Sequence, residues 1–333
     1  MLRIIGADGY QLLTAIDTTP ALNWLHHVPA VQLLRRVWLQ QFELVDDQVH
    51  FRDNDTIPPP ATMICSPYDT QATYGRKLTE WWIGYKVHLT ESCDEDQPRL
   101  ITHVETGLAG KGDVDVTPVI HQALKDKELL PKEHLMDTNY AESKQFVASQ
   151  LDYGIDLIAP TRADNKWQGQ AKQGFAASSF QFDWQAHKAT CPTGHESSSW
   201  TPASDRRDNE VIKIKFSTKD CQTCSCRSLC TQTDRRMITV RKEEHHVALQ
   251  KARARQHTPE FRKLYHKRAG IEATMSQGVR AFGMRRSRYE GLAKTHLQHL
   301  ACATAINIVR VLAWLEEPSV APTRISHFAA LAA

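Results

Sequence analysis

This 333-residue chain has no apolar run approaching the roughly 18 uninterrupted residues that a membrane helix needs, so no transmembrane span is expected. Its N-terminus, Met1-Leu-Arg-Ile-Ile-Gly-Ala-Asp, lacks the basic region, long apolar run and small-residue cleavage site of a secretory signal. The expected compartment is therefore the cytoplasm, with no membrane partner. In that compartment the eight cysteines are expected to be reduced or metal-bound rather than paired as disulfides. Overall charge is also slight, at +3. The length suffices for one large domain or two ordinary ones with a core that needs no covalent staples.

The small net charge hides an uneven distribution. Between Arg235 and Lys294 there are 16 lysines and arginines against 5 acidic residues, a local net of +11 that leaves −8 for the rest. A basic stretch beside an acidic one fits a nucleic-acid contact surface next to a part that holds divalent metal. Arg285-Arg286-Ser-Arg288-Tyr289 adds a tight basic cluster with an aromatic beside it, suited to phosphate contact and base stacking, and Lys294 extends it.

Apolar periodicity divides the chain. Residues 1–50 read as mainly helical, with Pro20 and Pro29 starting or breaking helices, and residues 50–61 with Pro58-Pro-Pro read as a linker. Thr62-Met-Ile-Cys, Trp81-Trp-Ile-Gly-Tyr-Lys-Val-His-Leu-Thr and Arg99-Leu-Ile-Thr-His-Val-Glu-Thr read as strands, the last two joined as a hairpin through Ser92 to Pro98. A helix at 115–127, a strand from Glu133, a helix at 141–151 and a buried strand from Gly154 follow. This is an α/β layout with a mixed sheet and flanking helices. Residues 161–245 break the rhythm as a small cysteine-rich β insertion. Helices are expected at 246–256, 259–277 and about 290–315. The expected organisation is a helical segment and linker at 1–61, core at 62–160, insertion at 161–245, core helices at 246–318 and a tail at 319–333.

Near the C-terminal end, Tyr265-x-x-Arg268-x-x-x-Glu272 places a phenol, a guanidinium and a carboxylate on one face of the expected helix. That combination suits phosphate chemistry, with the carboxylate on metal and the arginine on phosphate. The same spacing also describes a surface helix with an i,i+4 ion pair. Two aspartates lie at loop positions beside expected strands: Asp69 in Ser66-Pro-Tyr-Asp-Thr-Gln-Ala, after the first, and Asp137 in Leu135-Met-Asp-Thr-Asn-Tyr. Each alone reads better as an ordinary turn aspartate. Converging with Glu272, they would make a magnesium or manganese site, since such ions prefer oxygen ligands and keep positions open for water and phosphate. Lys86 and His88 share one face of their strand, read as exposed. Glu91 and Asp94 follow the same strand and are alternatives to Asp69.

The cysteines carry a second pattern. Cys221-x2-Cys224-x5-Cys230, with Cys191-Pro-Thr-Gly-His195 upstream, has metal-ligand spacing. The preferred reading is Zn²⁺ on Cys191, Cys221, Cys224 and Cys230, with Cys226 and His195 as spare candidates. An iron–sulfur cluster and plain reduced thiols remain alternatives.

The chain resembles the DDE transposases of bacterial insertion sequences, in the broad group that includes families 4 and 5, and looks most like family 1182. The resemblance rests on Tyr265-x2-Arg268-x3-Glu272, on Trp82-Ile-Gly-Tyr-Lys-Val-His, on Asp137-Thr-Asn-Tyr and on the run from Arg285 to Ala305. It covers about residues 62–315. The family's basic residue after the glutamate would be Arg280, one position late, and Asn139 stands where the family commonly has glycine, a substitution that a left-handed turn tolerates. The resemblance implies an RNase H-like core and the catalytic, metal-holding triad Asp69, Asp137 and Glu272. It also implies cleavage and strand transfer at terminal inverted repeats of double-stranded DNA, by a homodimer on that DNA. Family members usually carry a longer helical N-terminal region, so the chain is expected to be N-terminally shortened. Two other functions fit the residues: a zinc-containing DNA-binding remnant that does not cut, and an RNase H-like nuclease without inverted-repeat recognition.

Overall fold

In the computed structural model, which describes residues 1–59, 62–171, 174–206 and 208–316, the chain divides into two units, Met1–Lys111 with the stretch from Gly270 on, and Gly112–Ala269. The expected tail at 319–333 and residues 60–61 of the linker lie outside the described residues.

Proline sets the helix starts of the first unit. After α1 (Leu2–Thr18) come a 3-10 helix, Pro20–His27, and α2 (Pro29–Gln41), each with proline in its first turn, where a missing N–H costs nothing. The helical reading to residue 50 is corrected at Phe42, where β1 (Phe42–Val45) and β2 (Gln48–Phe51) form an antiparallel hairpin. Its turn residues Asp46 and Asp47 both have positive φ, at 49° and 58°, the conformation that two-residue hairpins require. Phe42 stacks on Trp38 at 5.8 Å, and the Trp38 indole N–H donates to the Gly6 carbonyl at 2.9 Å.

Next come β3 (Thr73–Lys77), β4 (Glu80–Glu91) and β5 (Ile101–Leu108), an antiparallel sheet in that order. Thr62–Cys65, expected as the first strand, is not one: the Ile64 N–H goes to the Gln40 side chain at 3.1 Å. The first strand of this sheet lies beyond Asp69, so Asp69 precedes it. Gly75 on β3 sits opposite Trp82 on β4, and a Cβ there would meet the indole at 2.7 Å. Trp82 is half-buried over that gap while Trp81 is 66% exposed. His88, expected on an exposed strand face, is buried.

The second unit opens with α3 (Thr117–Asp126), β6 (Glu133–Leu135), α4 (Ser143–Tyr153) and β7 (Asp156–Ile158), close to the expected bounds. β6 and β7 pair in parallel, and Val116, Ile120, Leu124, Met136 and Leu157 form the core beneath them. The expected mixed α/β composition is present, but as separate ladders. The antiparallel sheet lies in one unit and the parallel pair in the other, and among the described residues no ladder joins them.

The cysteine-rich stretch contains α5 (Trp167–Gln170), β8 (Gln181–Asp183), β9 (Lys188–Thr190), β10 (Ser197–Ser204), β11 (Glu210–Phe216), α6 (Thr218–Gln222), α7 (Arg227–Cys230) and β12 (Met237–Arg241). It has its own core of Phe180, Ile214, Phe216, Ile238 and Val240, with Cys191, Cys221 and Cys230 packed against it. α8 (Glu243–Arg255) then packs on α4, and Arg255 reaches Asp156 at 2.7 Å. α9 (Pro259–His266) is capped by the Thr258 hydroxyl, which accepts the Phe261 N–H at 3.2 Å.

The expected continuous helix over 259–277 is instead two helices. A turn at Lys267–Arg268 separates α9 from α10 (Ala269–Phe282), and the chain passes into the first unit at Gly270. Tight packing accompanies the break, since a Cβ at Gly270 would collide with the Arg99 guanidinium at 1.7 Å. Finally α11 (Leu292–Leu315) lies against β5, burying Cys302, Ala303 and Ile306 with Ile101, Val104 and Met284. By length and composition α11 is apolar enough to cross a membrane. Two of its polar side chains, however, bond the sheet. Asn307 makes two hydrogen bonds to the Ile101 backbone at 2.8 and 2.9 Å, and Arg310 pairs with Glu91 at 3.0 Å.

Candidate carboxylate site and nucleic-acid interface

Asp69 lies in the loop before β3. One carboxylate oxygen accepts the Gln71 N–H at 3.1 Å; the other accepts the Tyr85 hydroxyl at 2.8 Å and the Gly291 N–H at 3.0 Å. The Gln71 side chain takes the next N–H, that of Leu292, at 2.8 Å. The two side chains thus satisfy the first orphan donors of α11, with negative charge at the positive end of the helix dipole. Burial favours the neutral acid, but the donors from Gly291, Tyr85, Gln71 and Ala72 outweigh it and hold the Asp69 carboxyl below its ordinary value. Burial, then the bond to Asp69, pushes the Tyr85 phenol upward, so it stays protonated and keeps donating.

Glu91, the alternative to Asp69, is committed elsewhere. Its side chain is 6% exposed, paired with Arg310, and accepts the Thr274 hydroxyl of α10. Asp94 is exposed in the loop joining β4 to β5.

Glu272 projects from the first turn of α10 and is exposed. It belongs to the same unit as Asp69, whereas Asp137 belongs to the other. Asp137 follows β6 and caps a 3-10 turn, Thr138–Tyr140, by accepting the Thr138 N–H at 2.7 Å. Asn139 lies inside that turn and has no positive φ, so the left-handed conformation expected for it is not used. Burial, then Asp113 and Asp137, raise the Tyr140 phenol, and Arg268 pulls it back. Asp113, Asp137, Tyr140 and Arg268 are therefore electrostatic neighbours within one unit. Arg268 also lies over the Tyr265 ring at 5.9 Å, and Tyr265 stacks on Phe261 at 5.4 Å. Sequence reasoning missed Tyr85, Tyr140 and Asp113 as partners. The two tyrosines lie inside quoted motifs, whereas Asp113 has no spacing that singles it out.

The basic cluster is presented by a pinned loop. Gly283, at φ 62°, follows α10, and Gly291, at φ 90°, precedes α11. Between them the buried Gln298 side chain accepts the Arg288 N–H at 2.9 Å and donates to the Arg286 carbonyl at 2.8 Å. Backbone fixed in this way leaves Arg285, Arg286, Arg288, Tyr289 and Lys294 exposed, with Arg280 exposed on the last turn of α10.

The cysteines sort themselves. Cys191, Cys221, Cys224 and Cys230 line one cavity of about 30 Å³, together with His195, Thr193, Arg227 and Arg236; Cys226 is not among the lining. Burial raises the Cys230 thiol; Arg236 lowers it, and Cys221, Cys191 and Cys224 raise it again. Among the described residues, no group of three or more His, Cys, Asp or Glu side chains is placed so that it could hold a metal ion.

A family model described as a transposase DDE domain matches residues 190–312. The match spans the cysteine cluster, Tyr265, Arg268, Glu272 and the basic loop, and supports a DDE transposase that acts by phosphoryl transfer on DNA. No curated protein matches the chain, and no solved structure does.

Proposed function

We propose that this chain is a DDE transposase most similar to family 1182, cutting DNA at the terminal inverted repeats of an insertion sequence and joining the freed ends to target DNA. What carries the reading is the family match over residues 190–312, which contains Glu272 inside the Tyr265–Arg268–Glu272 signature and the basic loop that follows.

In this reading an RNase H-like core is built from residues 62–160 and 246–318, interrupted by 161–245. Asp69, Asp137 and Glu272 hold magnesium or manganese, which suits an all-oxygen donor set. Bound metal would activate the attacking oxygen and offset charge on the leaving one. The donors around Asp69 keep its carboxylate ionised for that role. Arg268, stacked on Tyr265, clamps the scissile phosphate. Arg280, Arg285, Arg286, Arg288 and Lys294 hold the duplex through its phosphates, and Tyr289, 54% exposed in the same loop, is placed to stack on a base. Two ends must be brought together, so the active form is a homodimer on DNA, associated with the nucleoid.

The test is Mg²⁺-dependent nicking of a labelled transposon-end duplex by the parent chain and by Asp137→Asn. The reading expects nicking by the parent, none with a chelator, and none by the variant while it still binds. Tight binding without cleavage under every metal condition would replace it with the non-cutting remnant. Cleavage indifferent to end sequence would replace it with a nuclease.

A further inference from the structure

We propose that Cys191, Cys221, Cys224 and Cys230 bind one Zn²⁺ ion as a closed tetrathiolate site that fastens the end of β9 to α6 and α7.

Selection among the cysteines is the first support. Five lie between residues 191 and 230, and the fold brings four of them, from three separate segments, to the wall of one cavity. The fifth, Cys226, is turned to its neighbour Ser225 instead. The cavity is lined by four thiols, the donor set that Zn²⁺ takes with Zn–S bonds of about 2.3 Å.

Donors are already aimed at the sulfurs. The His195 N–H points to Cys191 Sγ at 3.3 Å, across a turn whose Gly194 has φ 89°. The Arg236 N–H points to Cys221 Sγ at 3.4 Å. Thr193 Oγ1 lies 3.1 Å from Cys191 Sγ and 3.9 Å from Cys224 Sγ. Hydrogen bonds to sulfur stabilise thiolate over thiol and tune a metal from outside its ligand shell.

Charge balance is the third support. Four thiolates on Zn²⁺ carry a net −2. Arg236 is 8% exposed beside the cavity, its terminal nitrogens donating to the Cys230 and Phe175 carbonyls at 3.0 and 3.2 Å. Cys230 and Asp164 act on its charge, but among the described residues no carboxylate is hydrogen-bonded to it, and a buried cation so placed suits a dianionic neighbour. Arg227 lines the same cavity. Binding converts four thiols and one Zn²⁺ into the tetrathiolate and four released protons, so affinity rises with pH. As placed, the sulfurs do not form a set that could hold the ion, so the proposal requires them to draw together when it binds. The one-turn helices α6 and α7 leave little structure to disturb.

The experiment is elemental analysis of the full chain, purified without chelator from cells supplied with both zinc and iron. The proposal expects about one zinc per chain and no iron, as a four-coordinate structural site holds. Cys226→Ser should keep the metal, and Cys221→Ser and Cys224→Ser should lose it. Replacement by Co²⁺ should give the intense absorption of a tetrahedral tetrathiolate, and chelation should lower the melting temperature. Substoichiometric zinc, iron in its place, zinc retained by Cys221→Ser, or zinc lost from Cys226→Ser would each overturn it. If Cys221→Ser is insoluble, parent stoichiometry and the cobalt spectrum decide. None of these outcomes bears on the transposase reading, which rests on the family match and is tested at the carboxylates.

Discussion

The carboxylate of Asp69 accepts the backbone N–H of Gly291, 222 positions away, at 3.0 Å. One bond thus ties the first proposed catalytic aspartate to the start of α11, directly after the basic loop. A group of this kind has two duties, holding metal and capping a helix, and they separate on mutation. Asp69→Asn keeps an acceptor for Gly291, so it should cost no more than about 1 kcal/mol while abolishing cleavage. Thermal melting and the nicking assay read the two duties independently. Because the folded carboxyl is held below its unfolded value, the cap's contribution is full above the unfolded value and lost as pH falls through the folded one. Asp69→Asn should therefore lose part of the parent's acid sensitivity.

Glu91 behaves oppositely. Removing one partner of its ion pair with Arg310, whose two side chains are 6% and 19% exposed, leaves a mostly buried charge uncompensated. Glu91→Ala should lower stability by about 3 kcal/mol, measured by denaturant unfolding. Cleavage per folded molecule should stay near the parent's for Glu91→Gln. A folded Glu91→Gln chain with no cleavage would transfer the catalytic assignment from Asp69 to Glu91.

A pair of buried histidines predicts a second pH response. His121 Nε2 lies 3.1 Å from His134 Nδ1, and burial pushes the two rings down to about 4 and about 3. Folded pKa values are depressed, so the unfolded chain takes up protons first as pH drops below the ordinary histidine value of about 6.5. Stability should therefore fall from about pH 6.5 toward 4. Calorimetric melting across that range checks it, and His134→Gln should flatten the slope.

The core under α11 sets a reference. Ile306 is fully buried against the sheet, and Ile306→Ala should cost about 3 kcal/mol. Leu297, 66% exposed on the same helix, should tolerate alanine with little change in unfolding midpoint.

Exposed arginines should act uniformly on DNA. Replacing Arg285, Arg286 and Arg288 by alanine should weaken binding to every duplex. The slope of log affinity against log salt should fall by about 0.9 for each phosphate no longer neutralised. Titration at several salt concentrations measures it; an unchanged slope would place the duplex elsewhere.

Legibility in the sequence followed the range of the interaction. β4 was readable because aromatic and β-branched residues crowd Trp81 to Thr90, and the helix starts at Pro20 and Pro29 because proline fixes φ locally. β3 was missed because Thr73-Tyr-Gly-Arg-Lys is weakly apolar and its glycine makes sense only opposite Trp82. The helix break at Lys267–Arg268 carries no proline or glycine of its own; Gly270, packed on Arg99, follows it. Cysteine spacing marked the four residues that share a cavity and set Cys226 aside as a spare. Asp69 was marked as a candidate, yet its partners Tyr85 and Gly291 lie 16 and 222 positions away, beyond any local pattern.

The transposase reading turns on Glu272 as a metal-holding carboxylate in DNA cleavage. Mg²⁺-dependent nicking of a labelled transposon-end duplex should be compared between the parent chain and Glu272→Gln, with end-binding affinity measured on the same preparations. Nicking by the parent and none by the variant, at unchanged affinity, is the predicted result. Equal nicking by both, at equal affinity, would contradict it.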